Sequence, residues 1–352
     1  MGCTVKAKLS QAIGHRLQHM SFHFSSPSVR ARTLLKLRLR IVSWCVGLLL
    51  TAVATTAAAT GTPIKILVLL GGENDAYQKM AQSIGSTLAA QPPRAKIELD
   101  IEHINNLSAG LSTHPTLVIT IGPDAARAAM HANPASPILY TLIPRTIAQE
   151  ILRNGRDGKP LTHRDSAIFL DQPIGRQLDL LRIALPKRKQ VAMILGPSTR
   201  SLENELRNGC RERSLTVETA TINQREELIP ALEHLLGKAD ILLSAAEPMA
   251  YDGETLHHVL LTTYRYGIPV IGQSEAYVDA GALLAIYSTP EQIGRQVGEL
   301  LNSKVFTKDA LLPPPSYPKY FTVSINRRVA SSLDLQLENE TTLQTKLRTL
   351  SH

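Results

Sequence analysis

Leu117-Val118-Ile119-Thr120-Ile121-Gly122-Pro123 and Val191-Ala192-Met193-Ile194-Leu195-Gly196-Pro197 carry one pattern twice. Each is a short run without charge, closed by Gly-Pro and followed by a helix-like segment. A short apolar run bounded by a turn signal predicts a strand buried on both faces. Such strands occur where helices cover both sides of a parallel sheet. The repeat of the pattern predicts two similarly built α/β domains.

Working outward from the first run, Ile64–Leu70 reads as another buried strand ending in Gly71-Gly72. A helix is predicted over Asn74–Ala89, stopped by Pro92-Pro93, then an alternating strand over Lys96–Ile104. Asp124–His131 reads as a helix and Pro137–Leu142 as a strand. Residues 145–165 are polar and rich in Gly and Arg, which predicts a loop or lid. A strand at Ser166–Leu170 and a helix at Ile174–Ala184 complete the first half.

Pro186-Lys187-Arg188-Lys189 marks a change of domain. Beyond it, strands are predicted at 190–195, 217–222, 241–244, 269–271 and 283–287. Helices are predicted between them at 202–213, 225–236 and 254–266, and after them at 290–301. Strands alternating with helices imply parallel sheets with right-handed crossovers. The expected division is a leader over 1–59, α/β domains over 60–186 and 187–310, and a closing strand, helix and polar tail over 311–352.

The length of 352 residues fits about two domains at roughly 100–200 residues each. The formal charge of +8 first suggests a polyanion partner, but its distribution removes that idea. Eight Lys and Arg residues lie in residues 1–59 with no Asp or Glu, and from residue 60 the two signs balance. With aromatics at 4%, an aromatic platform for nucleic acid is excluded as well. The basic end reads as an export signal: Arg38 and Arg40, an apolar run over Ile41–Ala54, then small residues to Ala59. Cleavage near Ala59 would release the protein to the periplasm, and an uncleaved N-terminal anchor is the alternative. The true start is Met1 or Met20. Cleavage would also remove Cys3, Cys45 and the lone Trp44, leaving Cys210 without a disulfide partner.

Sequence signatures of catalysis are absent: no glycine-rich nucleotide loop, no nucleophile elbow and no zinc-binding His pair. His257-His258 are adjacent, so on a helix their rings diverge. No metal, cofactor or catalytic residue is expected. Binding chemistry is expected where strands end, because helix N-termini there present free N–H groups to ligands. The candidates are Gly71, Gly72, Gly122, Asp124, Arg145 and Thr146 in the first half, and Ser198, Thr199, Glu247, Tyr251 and Ser274 in the second. Arg145 and Glu247 stand out as charges in need of a partner, and Tyr251 as an aromatic wall.

The stretch Ala250–Gly272, running into Tyr266-Gly267-Ile268-Pro269-Val270-Ile271-Gly272, resembles the type I periplasmic binding protein fold. Within it, the resemblance is to the family of ABC transporter substrate-binding proteins. Gly281-Ala282-Leu283-Leu284-Ala285 with Ile293-Gly294-Arg295-Gln296 matches that family's next segment. Leu312-Pro313, Phe321-Thr322-Val323-Ser324-Ile325-Asn326, Ala330 and Leu333 resemble its closing strand and helix. Gly122-Pro123-Asp124-Ala125 and Gly196-Pro197-Ser198 fall where its ligand turns fall. The resemblance implies two Rossmann-like domains, a hinge and closure on a small molecule in the cleft between them. Two departures bear on the ligand: Pro123 replaces a family Thr, and Ala245-Ala246-Glu247-Pro248 replaces an Asp-Asn pair. The family's amino-acid ligands therefore do not carry over.

The leading expectation is a solute-binding protein that delivers its ligand to a membrane permease. A periplasmic sensor presenting its closed form to a signalling receptor would use the same cleft. An exported enzyme on this fold and an accessory protein with no ligand complete the alternatives.

Overall fold

The computed structural model describes residues 63–91, 96–106, 114–132, 134–155, 164–303 and 311–350. The leader, with Cys3, Trp44 and Cys45, lies outside the described residues, as does the stretch 156–163 of the expected lid.

Two sheets organise the chain. The first holds β1 (Ile64–Leu70), β2 (Ile97–His103), β3 (Leu117–Ile121), β4 (Ile138–Ile143) and β5 (Ser166–Phe169). Their order is β2-β1-β3-β4-β5, and every pairing is parallel. The second holds β6 (Gln190–Leu195), β7 (Thr216–Thr221), β8 (Ile241–Leu243), β9 (Val270–Gly272), β10 (Leu284–Tyr287) and β11 (Thr322–Ile325). Read from the other edge, its order is β7-β6-β8-β9-β10-β11, the first order repeated with one strand added. The duplication seen in the Gly-Pro runs is thus a duplication of topology. β3 and β6 hold comparable but not identical places, since β6 corresponds to β1 in strand order. The added β11 runs antiparallel to β10, making the second sheet mixed.

Alternation explains how each strand serves two layers. Ile66, Val68 and Leu70 of β1 enter one apolar cluster, and Leu69 enters the cluster on the opposite face. The helices that supply these layers are α1 (Asp75–Ala90), α2 (Pro123–Ala132) and α3 (Arg145–Asn154). α1 starts at Asn74, whose side chain accepts the Ala76 N–H at 2.8 Å and caps the first turn. α3 occupies the start of the expected loop. Its polar composition conceals a helical stripe in which Ala148 and Ile151 are buried and Ile147 and Leu152 pack beside them. The helical period outweighs the Gly and Arg content there.

The remaining helices are α4 (Ile174–Ala184), α5 (Glu203–Glu212), α6 (Leu228–Leu236), α7 (Pro248–Tyr251), α8 (Thr255–Arg265), α9 (Glu275–Ala280), α10 (Pro290–Ser303), α11 (Arg327–Ser332) and α12 (Glu340–Leu350). Two of them pack away from the half of the chain that encodes them. α4 precedes the expected boundary, yet Ile174, Leu178 and Leu181 join the core of the second sheet. α10 follows β10, yet Ile293, Val297 and Leu301 join the core of the first. The contact of α10 with α1 is close enough to need glycine. A Cβ on Gly294 would stand 2.5 Å from the Met80 carbonyl oxygen, and one on Gly298 2.6 Å from Thr87 Cβ. The polar tail is ordered by α12, which buries Leu343 and Leu347 against the second sheet.

The chain therefore crosses between lobes three times, after β5, after β10 and before β11. These crossings are tied to one another. Gln172 Nε2 donates to Ser288 Oγ at 2.8 Å, and Ser288 Oγ donates to the Tyr320 carbonyl at 2.5 Å. Arg176 Nη1 donates to the Gln172 side-chain oxygen at 2.6 Å and to the Pro318 carbonyl at 3.0 Å. Ser316 bridges Ile168 in parallel, adding an edge to the first sheet before the chain leaves for β11.

Candidate functional site

Ligand sites in such sheets lie beyond the carboxyl ends of the strands. Here both lobes direct those ends to a shared cavity of about 350 Å³. The first lobe supplies Pro144 after β4 and Leu170, Asp171 and Gln172 after β5. The second supplies Ala246 and Glu247 after β8, Tyr251 and Asp252, Gln273 and Ser274 after β9, and Tyr277 from α9. A smaller recess of about 20 Å³ shares Asp171, Gln172 and Gln273 and adds Arg145, Thr146, Thr199 and Tyr317.

Three of the expected binding residues, Glu247, Tyr251 and Ser274, thus line the main cavity, and Arg145, Thr146 and Thr199 line the recess. Gly71, Gly72, Gly122 and Asp124 line neither. At Gly122 the reason is Tyr77 of α1, which covers the end of β3. A Cβ on Gly122 would stand 2.4 Å from its hydroxyl oxygen. Asp124 is exposed and pairs with Arg127. Ser198 is exposed too, and lines neither space.

The two charges expected to await a partner both have one in the protein. Glu247 is buried at 2% exposure. Its Oε2 accepts the Ser198 backbone N–H and the Thr199 hydroxyl, each at 3.0 Å. Its Oε1 accepts the Met249 N–H at 3.4 Å, capping α7. The carboxylate thereby ties the turn after β6 to the turn after β8. Gly196 leaves room for it, since a Cβ there would meet the carboxyl carbon at 2.5 Å. Arg145, on the first lobe, reaches Glu205 of α5 on the second at 2.7 Å. It also donates to the Tyr317 hydroxyl, with its guanidinium 5.6 Å from that ring's centre. The end of β4 that presents Arg145 is irregular: its register with β5 shifts between Thr141 and Ile143, and Leu142 has φ 51°. A left-handed non-glycine residue costs of order 1–3 kcal/mol and persists where its surroundings hold it.

Sequence reasoning missed Asp171, Gln172, Gln177 and Tyr277, whereas Gln273 lies in the strand-end turn that holds the expected Ser274. Leu170-Asp171-Gln172-Pro173 is a strand-end turn like those that were singled out, so its position was readable. Tyr277 was not, because the six-residue α9 has no periodic signal of its own. Asp171 accepts the Arg145 backbone N–H. Burial nevertheless pushes its carboxyl above the usual range. Tyr251 lines the cavity at 7% exposure, and its hydroxyl has no hydrogen-bond partner. Its ring centre lies 6.3 Å from that of Tyr277, whose hydroxyl donates to the Tyr251 carbonyl at 3.5 Å. Burial raises the Tyr251 phenol and pushes that of Tyr277 up to about 12. Both are neutral at ordinary pH and act through hydroxyl and ring face. Among the described residues no three potential ligands gather around a metal position, and no helix is long and apolar enough to cross a membrane.

Two Rossmann-like lobes, three tied crossings and a cavity at the facing strand ends define a bilobal binding protein of the type I periplasmic class. The chain belongs to the family described as ABC transporter substrate binding protein, which matches residues 97–346. Solved structures repeat the fold. A ligand-free, open substrate binding protein with adhesive properties from Clostridium difficile is 19% identical, with TM-score 0.57 over 78% of this chain and 96% of that one. An ABC domain in complex with L-Trp from Streptococcus pneumonia is 16% identical, with TM-score 0.56 over 80% and 98%. A conserved domain protein from Vibrio cholerae is also 16% identical, with TM-score 0.55 over 80% and 98%. No curated protein matches the sequence.

Proposed function

We propose that this protein captures a small molecule between its lobes and delivers it to an ABC-type permease. The observation that carries the reading is the cavity of about 350 Å³, whose wall is drawn from both lobes and from the crossing at Asp171-Gln172. A site built this way changes shape whenever the hinge moves, so occupancy and closure are coupled. The closed form is then the species a permease can distinguish. The basic, apolar leader supports export to the periplasm, with the protein free or held by its N-terminal segment. The streptococcal structure holds L-Trp. That ligand is not transferred here, because Glu247 in the cavity wall lies in the stretch that replaces the family's Asp-Asn pair.

A thermal-shift screen of amino acids, amines, sugars, nucleosides, carboxylates and phosphates tests the reading. A ligand at a hundredfold excess over its Kd stabilises the folded state by about 2.7 kcal/mol. A hit that also stimulates a reconstituted permease supports delivery. Silence across the panel from folded, ligand-free protein sinks the capture reading.

A further inference from the structure

The polar groups around the cavity divide unevenly into donors and acceptors. Gln177 Nε2 donates to the Gln172 carbonyl, Gln273 Nε2 to the Ser244 carbonyl and Gln172 Nε2 to Ser288 Oγ, each at 2.8 Å. These bonds hold the amide nitrogens and leave the oxygens of Gln177 and Gln273 without a donor among the described residues. No Lys, Arg or His lines the cavity. The guanidinium of Arg145 in the adjoining recess is engaged by Glu205 and Tyr317. The Ser198 N–H and the Thr199 hydroxyl already hold the Glu247 carboxylate.

What remains for a ligand is acceptor-rich: the Asp171 carboxyl, one of whose oxygens already takes the Arg145 N–H, two amide oxygens, the buried, unpartnered Tyr251 hydroxyl, and the Ser274 hydroxyl, which can donate or accept. Tyr251 and Tyr277 line the cavity as well, and an aromatic ring attracts a cation placed over its face. A carboxylate or phosphate entering here would meet Asp171 with no free countercharge, and a buried like-charge pair is costly. An ammonium or guanidinium group would find both a countercharge and acceptors for its N–H groups.

We propose that the cavity selects a small organic cation, an amine or guanidine on an apolar body, with Asp171 as countercharge and the Tyr251 hydroxyl as hydrogen-bond partner. The proposal rests on the capture reading above and adds the chemical class of the solute.

The test uses matched pairs that share a skeleton and differ in charge: tryptamine with indole-3-acetate, benzylamine with benzoate, and putrescine with succinate. Glucose and adenosine serve as uncharged solutes. Binding is measured by calorimetry on the wild type, Asp171→Asn and Tyr251→Phe, with melting curves to show that each is folded. The expected result is that at least one amine binds about ten-fold or more tightly than its carboxylate partner. Asp171→Asn should weaken that amine by about ten-fold or more. Tyr251→Phe should weaken it too, while the ligand-free variant melts at the same or a higher temperature because an unpartnered buried hydroxyl is gone. That opposition separates a ligand contact from a packing role. A carboxylate that binds more tightly than its amine overturns the proposal. So do two variants that leave amine affinity unchanged. Binding of an uncharged solute without any amine overturns the ligand class and leaves capture standing. Silence of every solute overturns capture itself.

Discussion

Arg145 and Glu205 join the two lobes directly, with a guanidinium nitrogen 2.7 Å from a carboxylate oxygen. One stands at the start of α3, the other in the first turn of α5. The pair exists only while the lobes are together, so it biases the hinge toward the closed form. Arg145 is largely shielded, but the Glu205 side chain is 41% exposed. Pairs open to solvent contribute about 0.2–1 kcal/mol. Glu205→Gln is therefore expected to raise the open-to-closed ratio of the ligand-free protein by up to about five-fold. Small-angle scattering, or a distance label on each lobe, reads the change. An unaltered distribution at low salt would show that the pair does not bias closure.

The bond between Gln172 and Ser288 links two of the three crossings and is buried. Ser288→Ala leaves the Gln172 amide nitrogen and the Tyr320 carbonyl each without that partner. The cost is expected to be about 1–3 kcal/mol, read as a lower urea midpoint at constant m.

Gly294→Ala puts a methyl group against the Met80 carbonyl in the contact between α10 and α1. Because the obstacle is backbone, α10 must move. Overpacking of this kind typically costs about 1–3 kcal/mol. Gly85→Ala serves as the control, since a Cβ there meets nothing within 4 Å. Equal melting temperatures for the two variants would contradict the close packing.

Cys210 is fully covered by the second core, and burial pushes its thiol up to about 11. At pH 8 its alkylation should follow the unfolding rate and not the reagent concentration, as peptide mapping would show. The same shift ties stability to pH. The unfolded thiol ionises near 8.5, so its contribution is complete below that value and is lost as pH rises through about 11. Cys210→Ala should flatten this part of the stability curve. Rapid labelling of the folded protein at pH 8 would contradict the burial argument.

Most strands were legible as short apolar runs, several with Gly or Pro behind them, and β2 by its alternation, all local signals. The helices α7 and α9 were not, since four and six residues cannot show a helical period. They carry Tyr251 and Tyr277, two walls of the cavity, so only one of those walls was foreseen. The partners of Arg145 and Glu247 were hidden for another reason. Glu205 is 60 positions from Arg145 in the chain, and Ser198 is 49 from Glu247. Strand-end chemistry marks where a charge sits, and topology decides whether the protein or a ligand answers it. The cover that Tyr77 places over Gly122 likewise depends on how α1 lies across the sheet.

The exchange of helices between lobes sets an order on synthesis. The five strands of the first sheet are complete when Phe169 has emerged, but one of its covering layers is α10, which ends only at Ser303. Until then the surface that receives Ile293, Val297 and Leu301 has nothing to cover it. With chains extended at about 5–20 residues per second, that interval lasts about 7–27 seconds. The half made first is thus the half that must wait, holding an apolar face that a chaperone can grip until its last helix arrives.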